Sequence, residues 1–250
     1  MRMRRTAFIM ALMTVFTVSL FAQSRGRNYI KQNISEWGGC RNVAITDTGG
    51  DLALNGKNDY AYTAGIPQAL ADALEKYHDD DDYIDDVQLT EDGEWLILVG
   101  KNGCQWSNIP SELESKLRQW NEAEETITSV TFNDDGDWIA VSTDHVASSS
   151  TDMDDWIKEG IETHGQLWAA HLTNDACVLC FENGYKFLGN VPQKLKDALK
   201  ATKYDVYRIK FTKEGSYFFA DKEGHYTFWI SHIKYICNLL KFTCKGTKYL

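Results

Sequence analysis

Asp144, His145 and Ser148 to Ser150 bring an acid, a base and three hydroxyls into seven residues, the ingredients of acyl transfer. A Ser-His-Asp site is built by side chains converging from distant parts of a chain, so adjacency is no evidence for one. There is no G-x-S-x-G elbow and no Gly-rich oxyanion loop, and the phosphate motifs GxxxxGK[ST] and GxGxxG are missing. His78, His164, His171, His225 and His232 are scattered, with no HxH or HExxH spacing. Cys177-x-x-Cys180 has the spacing of a redox or zinc pair, but it sits in an apolar run that reads as a strand. Residues three apart on a strand point to opposite faces, and no second CxxC completes a zinc site. Asn133 to Asp137 resembles a calcium loop and fails its count, with Thr131 at the first ligand position and Ser142 at the twelfth. The acidic run Asp79 to Asp82 reads as a solvated connector. No catalytic, metal or cofactor residue is expected.

The elements that would position any chemistry recur. In Ile84 to Trp120, Val87 and Leu89 alternate with polar neighbours as in a half-buried strand. Glu91-Asp92-Gly93 is a turn, Trp95 to Val99 a strand apolar on both faces, and Lys101-Asn102-Gly103 a second turn. A third strand carries Trp106, and Pro110 begins a helix with Leu113, Leu117 and Trp120 on one stripe. The pattern returns with a period of about 40 residues, the mark of a repeat architecture. Copy one holds Val43, Leu52 to Leu54, Tyr60 and Pro67; copy three Val130, Trp138 to Val141 and Trp156. Copy four holds Leu172, Cys177 to Phe181 and Pro192, and lacks the glycine of the first turn; copy five holds Ile209, Tyr217 to Ala220 and a helix from Ile230 to Leu240. Copy three departs most, with Asp144 and His145 in the second turn and Thr151 or Asp152 capping the helix in place of proline.

Arg2, Arg4 and Arg5 followed by the apolar Ala7 to Phe21 form a signal peptide ending near Ala22-Gln23. Its removal takes three arginines and moves the formal charge from −10 to −13. A chain that acidic repels nucleic-acid backbones and anionic membranes. No membrane insertion is expected after cleavage, and the location is periplasmic or secreted. Residues 28–37 form either a short helix stripe, with Ile30, Ile34 and Trp37, or an added strand. The expected layout is a signal over 1–22, an extension over 23–39 and a single five-repeat domain over 40–245. Of six cysteines, Cys40, Cys104, Cys237 and Cys244 can form at most two disulfides, and Cys177 and Cys180 do not pair together.

The motifs V-x-F-x-x-D-G-x-W, N-G-x-x-W and I-P-x-x-L-x-x-x-L resemble tandem repeats of uncharacterised secreted proteins. The first of them, carried by Val130 to Trp138, is also similar to β-propeller blades of the WD type. The resemblance implies a propeller-like fold and no particular activity. The fold class expected is α+β, mainly β, with five strand-strand-strand-helix repeats in a ring rather than an open array. Function reads as a binding or scaffold module for a protein or glycan, with a secreted hydrolase acting on glycans as the alternative. The expected contact surface is the set of second turns, with Asn58, Asn102, Asp144, His145 and Asn183, because equivalent loops gather on one face.

Overall fold

The structure, a computed structural model, describes residues 26–231. The signal peptide expected over 1–22 and, beyond Ser231, the helix expected in copy five fall outside the described residues. Five three-stranded antiparallel sheets follow one another. They are β1 (Asn42–Ala44), β2 (Leu52–Asn55) and β3 (Asp59–Tyr62); β4 (Ile84–Leu89), β5 (Trp95–Val99) and β6 (Gly103–Ser107); and β7 (Ile127–Phe132), β8 (Trp138–Ser142) and β9 (Val146–Ser148). Two more complete the set: β10 (Leu167–Thr173), β11 (Ala176–Phe181) and β12 (Gly184–Gly189); and β13 (Arg208–Phe211), β14 (Tyr217–Ala220) and β15 (Tyr226–Trp229). No strand of one sheet is ladder-paired with a strand of another; the sheets meet by packing face to face, with side-chain hydrogen bonds between their inner strands.

Helices fill the seams. α1 (26–37) precedes the first sheet, and α2 (Gln68–Asp79), α3 (Ser111–Glu122), α4 (Thr151–His164) and α5 (Gln193–Ala201) follow the first four. Pro67, Pro110 and Pro192 each stand at an N-cap, where their φ of −59°, −53° and −56° suits the chain entering a helix. α4 has no proline. Its cap is Ser150, whose Oγ accepts from the Met153 N–H, one residue before Thr151 and two before Asp152, the caps that the sequence suggested. Leu70 and Leu74 of α2 pack between the first and second sheets, and Leu113 and Leu117 of α3 between the second and third. Ile157 of α4 and Leu195 of α5 do the same at the next two seams.

The fifth seam closes the ring. Ile30 and Ile34 of α1, both fully buried, lie between Val43, Ile45 and Ala53 of the first sheet and Phe218, Ala220 and Phe228 of the fifth. Residues 28–37 are therefore a helix and not an added strand, since that seam has a helix-shaped gap to fill. Arg27 pins it: its guanidinium reaches Asp51 at 3.3 Å, Ser216 Oγ at 2.9 Å and the Thr46 carbonyl. Burial lifts the Asp51 carboxyl to about 6, with Arg27 pulling the other way.

The first turns link side by side. Glu91 accepts the N–H groups of Asp47 and Thr48, Asp134 that of Asp92, Asn174 that of Asp134, and Asp47 that of Glu214. An ion pair at 3.7 Å between Asp175 and Lys213 supplies the fifth link. Gly49, Gly93, Gly136 and Gly215 hold φ between 86° and 94° in these turns, a conformation costly for other residues. Copy four needs no such glycine because Asn174-Asp175 alone joins Thr173 to Ala176. In copy two's second turn Gly100, not Gly103, takes the positive φ of 63°, and Gly100 to Asn102 form the connection while Gly103 pairs within β6.

The axis is polar and filled. Sheets five and two are not neighbours, so bonds between them cross the ring. Arg208 grips both oxygens of Asp85 at 2.8 and 2.9 Å, and Lys210 reaches Asp86 and Gln88, each at 3.0 Å. Adjacent residues on a regular strand point apart; a bulge at Asp85 lets both acids face the cations. Burial depresses the Lys210 ammonium below its usual range against the pull of Asp86. Burial also works to lower Arg208, but Asp85 and Asp86 hold it above its ordinary value.

Cys40, Cys104, Cys177 and Cys180 are thiols, while Cys237 and Cys244 lie outside the described residues. Cys177 faces the seam with the third sheet and Cys180 the seam with the fifth, as strand alternation requires. Burial pushes Cys40 up to about 12 and Cys104 to about 11, which leaves them poor nucleophiles.

Two outcomes follow from a closed ring. Deleting the chain from Tyr204 removes the fifth sheet and should abolish cooperative melting by circular dichroism; an open array would keep a sharp transition. Asp86→Ala strands the Lys210 charge and should cost about 3–5 kcal/mol in urea unfolding. Adding Lys210→Met should recover most of that loss. Additive losses would show that the pair is not coupled.

Candidate binding surface

Each second turn, between the middle and outer strands, lies at the sheet end opposite the linked first turns. Asn58 is buried there, and its amide donates to the carbonyls of Tyr77 and His78 at 3.3 and 3.2 Å, at the end of α2. Asn102 and Asn121 exchange bonds, each amide donating to the other's carbonyl, at the end of α3. A helix end leaves carbonyls without helical donors, and these asparagines supply them. Asn183 lies in the fourth sheet's turn, where its backbone N–H donates to the His164 carbonyl.

Copy three has no asparagine at this position, and the seam opens. Asp144 and His145 line a groove of about 600 Å³ together with Asp154, Lys158 and Ile161 of α4 and Gly165 to Leu167 beyond it. Ile161 is 37% exposed along it, an apolar side chain in reach of solvent. Of the five residues singled out from sequence, Asp144 and His145 share this groove. Asn58 and Asn102 sit in other sheets with partners of their own, and Asn183 lines a separate cavity of about 280 Å³ beside the fourth sheet.

Beside the groove, Ser142 Oγ donates to Glu125 Oε2 at 2.6 Å, and His145 Nδ1 lies 3.0 Å from the same oxygen. The Ser142 bond, and then His145, hold the Glu125 carboxyl below its usual range. A nucleophile and its base bond to each other; here both turn to one carboxylate. The arrangement orders a turn. Asp221, Glu223 and His225 in the fifth sheet's second turn are close enough to share a cation. Asp221 already accepts from the N–H groups of Glu223 and His225 and meets the His225 ring at 2.6 Å.

Sequence reasoning passed over the inner strands. His171 stands on β10 at the position of Gln88, Thr131 and Lys210 in other copies, a polar column inside otherwise apolar strands. That interruption of the pattern was the available signal. His171 Nε2–H donates to the Phe211 carbonyl at 3.0 Å, which leaves Nδ1 an acceptor, buried and without a hydrogen-bond partner. Burial, and then the charge of Lys210, lower the imidazole to about 3.

No protein-family model matches the chain, and no curated protein matches it. A solved structure described as YCF48 bound to D1 peptide is similar at 11% identity over 77% of this chain, with a TM-score of 0.27. The match covers 51% of that chain, so this one spans about half its length. A likeness that low carries over neither geometry nor ligand. Among the described residues no helix is long and apolar enough to cross a membrane.

His171 stays neutral in the folded chain well below the pH at which an unfolded histidine charges. Folding stability should therefore fall as pH drops from about 6.5 toward about 3. His171→Gln keeps a donor for Phe211 and removes the titration. The wild type should lose stability relative to this variant across that window in urea melts, since the opposite contribution of Asp51 is common to both. Parallel stability curves would refute the assignment.

Proposed function

We propose that this chain is an exported binding or scaffold module, non-catalytic, acting through its second-turn face with the Asp144–His145 groove as the contact site. Residues 1–22, with the character of a signal peptide, support a periplasmic or secreted location. The observation that carries the reading is the contrast between copies. Copies one and two close this seam with Asn58 and Asn102, while copy three leaves it open and lines it with unlike groups. Packing demands the same residue types in every copy, and a contact surface does not. The second turns also carry different chemistry from copy to copy, as a recognition face can and a core cannot.

The groove sets Val146, Ile157 and Ile161 beside Asp144, Asp154 and Lys158. Such a mixture suits a protein segment or a glycan that offers apolar area with a few hydrogen bonds. Asn58, Asn102 and Asn183 extend the same face around the ring. The glycan hydrolase alternative needs two carboxyl groups on either side of a scissile bond, for which Asp144 and Asp154 of this groove would be the candidates.

Peptide and glycan arrays probed with the exported protein should yield a binder. Asp144→Asn combined with Ile161→Asp should weaken it about tenfold, or 1.4 kcal/mol, while Asp135→Asn on the opposite face should not. Substrate turnover that disappears in His145→Ala would replace this reading with the enzymatic one.

A further inference from the structure

The face that carries the first turns has its own cavity, separate from the Asp144–His145 groove. It holds about 280 Å³ and draws lining residues from all five sheets. Strand register gives its wall a layered order. At the mouth stand Asp47, Glu91, Asp134 and Asp175, and Lys213 is the one cation among the described lining residues. Two residues back along each inner strand, or three from Asp175, Ile45, Leu89, Phe132, Leu172 and Phe211 form an apolar collar, one side chain from each copy. Gln88 and His171, a further residue back, stand beneath it.

Each layer states what it would accept. Burial, and then the charge of Asp47 among other causes, push the Glu91 carboxyl above its usual range, and Glu94 is raised in turn by burial, Asp134 and Asp92. Arg27 stands 4.0 Å from Asp47 and Lys213 3.7 Å from Asp175, while Glu91 and Asp134 meet backbone N–H groups, so these two carboxylates leave room at the mouth for an ammonium. The collar offers contact to methylenes or an aromatic ring. Beneath it lies His171, 5% exposed as a residue, whose unpartnered Nδ1 acceptor has almost no surface of its own, so a ligand reaches it by parting the side chains above. A second cation is excluded at that depth, because Lys210 already brings its charge close enough to depress the imidazole.

We propose that this cavity binds a small primary amine: ammonium among the mouth carboxylates, apolar body in the collar, and a neutral far end donating to His171 Nδ1. A hydroxylated alkyl or aromatic amine has that form. The site needs nothing from the groove on the opposite face, and neither proposal rests on the other.

Calorimetry on the exported protein with 6-amino-1-hexanol, hexylamine and 1-hexanol separates the three layers. Aminohexanol should bind tightest, hexylamine about tenfold more weakly for want of the donor, and hexanol at least as weakly for want of charge. Binding of both amines should weaken as salt rises. Asp134→Asn with Asp175→Asn should lower amine affinity about tenfold and leave hexanol unchanged, because the amide still accepts from Asp92. The ¹⁵N resonance of His171 Nδ1 should move with aminohexanol and stay put with hexylamine. Equal affinity for the three probes, amine binding indifferent to the double variant, or no binding at millimolar concentration would each overturn the proposal. Asp144→Asn with Ile161→Asp should leave amine binding unchanged, so that failure here and failure of the groove reading are told apart.

Discussion

Four charges at the middle of the ring set the terms for everything around them. Arg208 and Lys210 leave the fifth sheet, cross the axis and end on Asp85, Asp86 and Gln88 of the second. Taking these groups out of water is expensive, and it is tolerated only when each finds its partner at hydrogen-bonding distance. That requirement binds two non-neighbouring sheets at one separation and one angle. It also divides the axis. The plug leaves a shallow cavity on the first-turn side instead of an open channel, and gives that cavity a floor beside a positive charge.

Around this centre the ring is held in two ways that differ in kind. Within the seams, outside the polar inner strands, the contact is apolar and non-directional, each of the five filled by a helix's leucines or isoleucines. At the rim it is directional, a run of carboxylates and an amide each accepting from the next turn's backbone. Packing alone would let the sheets slide, and the rim bonds set their register. α1 does both at the closing seam: Ile30 and Ile34 fill it while Arg27 spans the two sheets. Where a copy abandons the shared solution, as copy three does beside Asp144, the seam opens to solvent.

The sequence by itself determined the repeating unit, because each part of it rests on local rules. Alternation placed β4 and β7, continuous apolar runs placed β5, β8 and β11, and proline before a leucine stripe placed α2, α3 and α5. Spacing three apart on a strand was enough to separate Cys177 from Cys180. The turn of copy three, with Asp144 and His145, stood out as the departure from the shared column, and that departure is where the groove lies.

Only the tertiary structure decided what fills the fifth seam. Ile30, Ile34 and Trp37 suit a helix or a strand edge, and the choice rests on the shape left between the first and fifth sheets. Nor does any local signal say that Asn58 and Asn102 spend their amides on helix carbonyls some 20 residues away. The same holds for Asp85, which a bulge turns to the same side as Asp86. Charges such as Lys210 and acceptors such as His171 look misplaced in a strand read alone. They become intelligible only when ring closure brings in partners more than 100 residues distant, as with Lys210 and Gln88, or leaves one acceptor facing none.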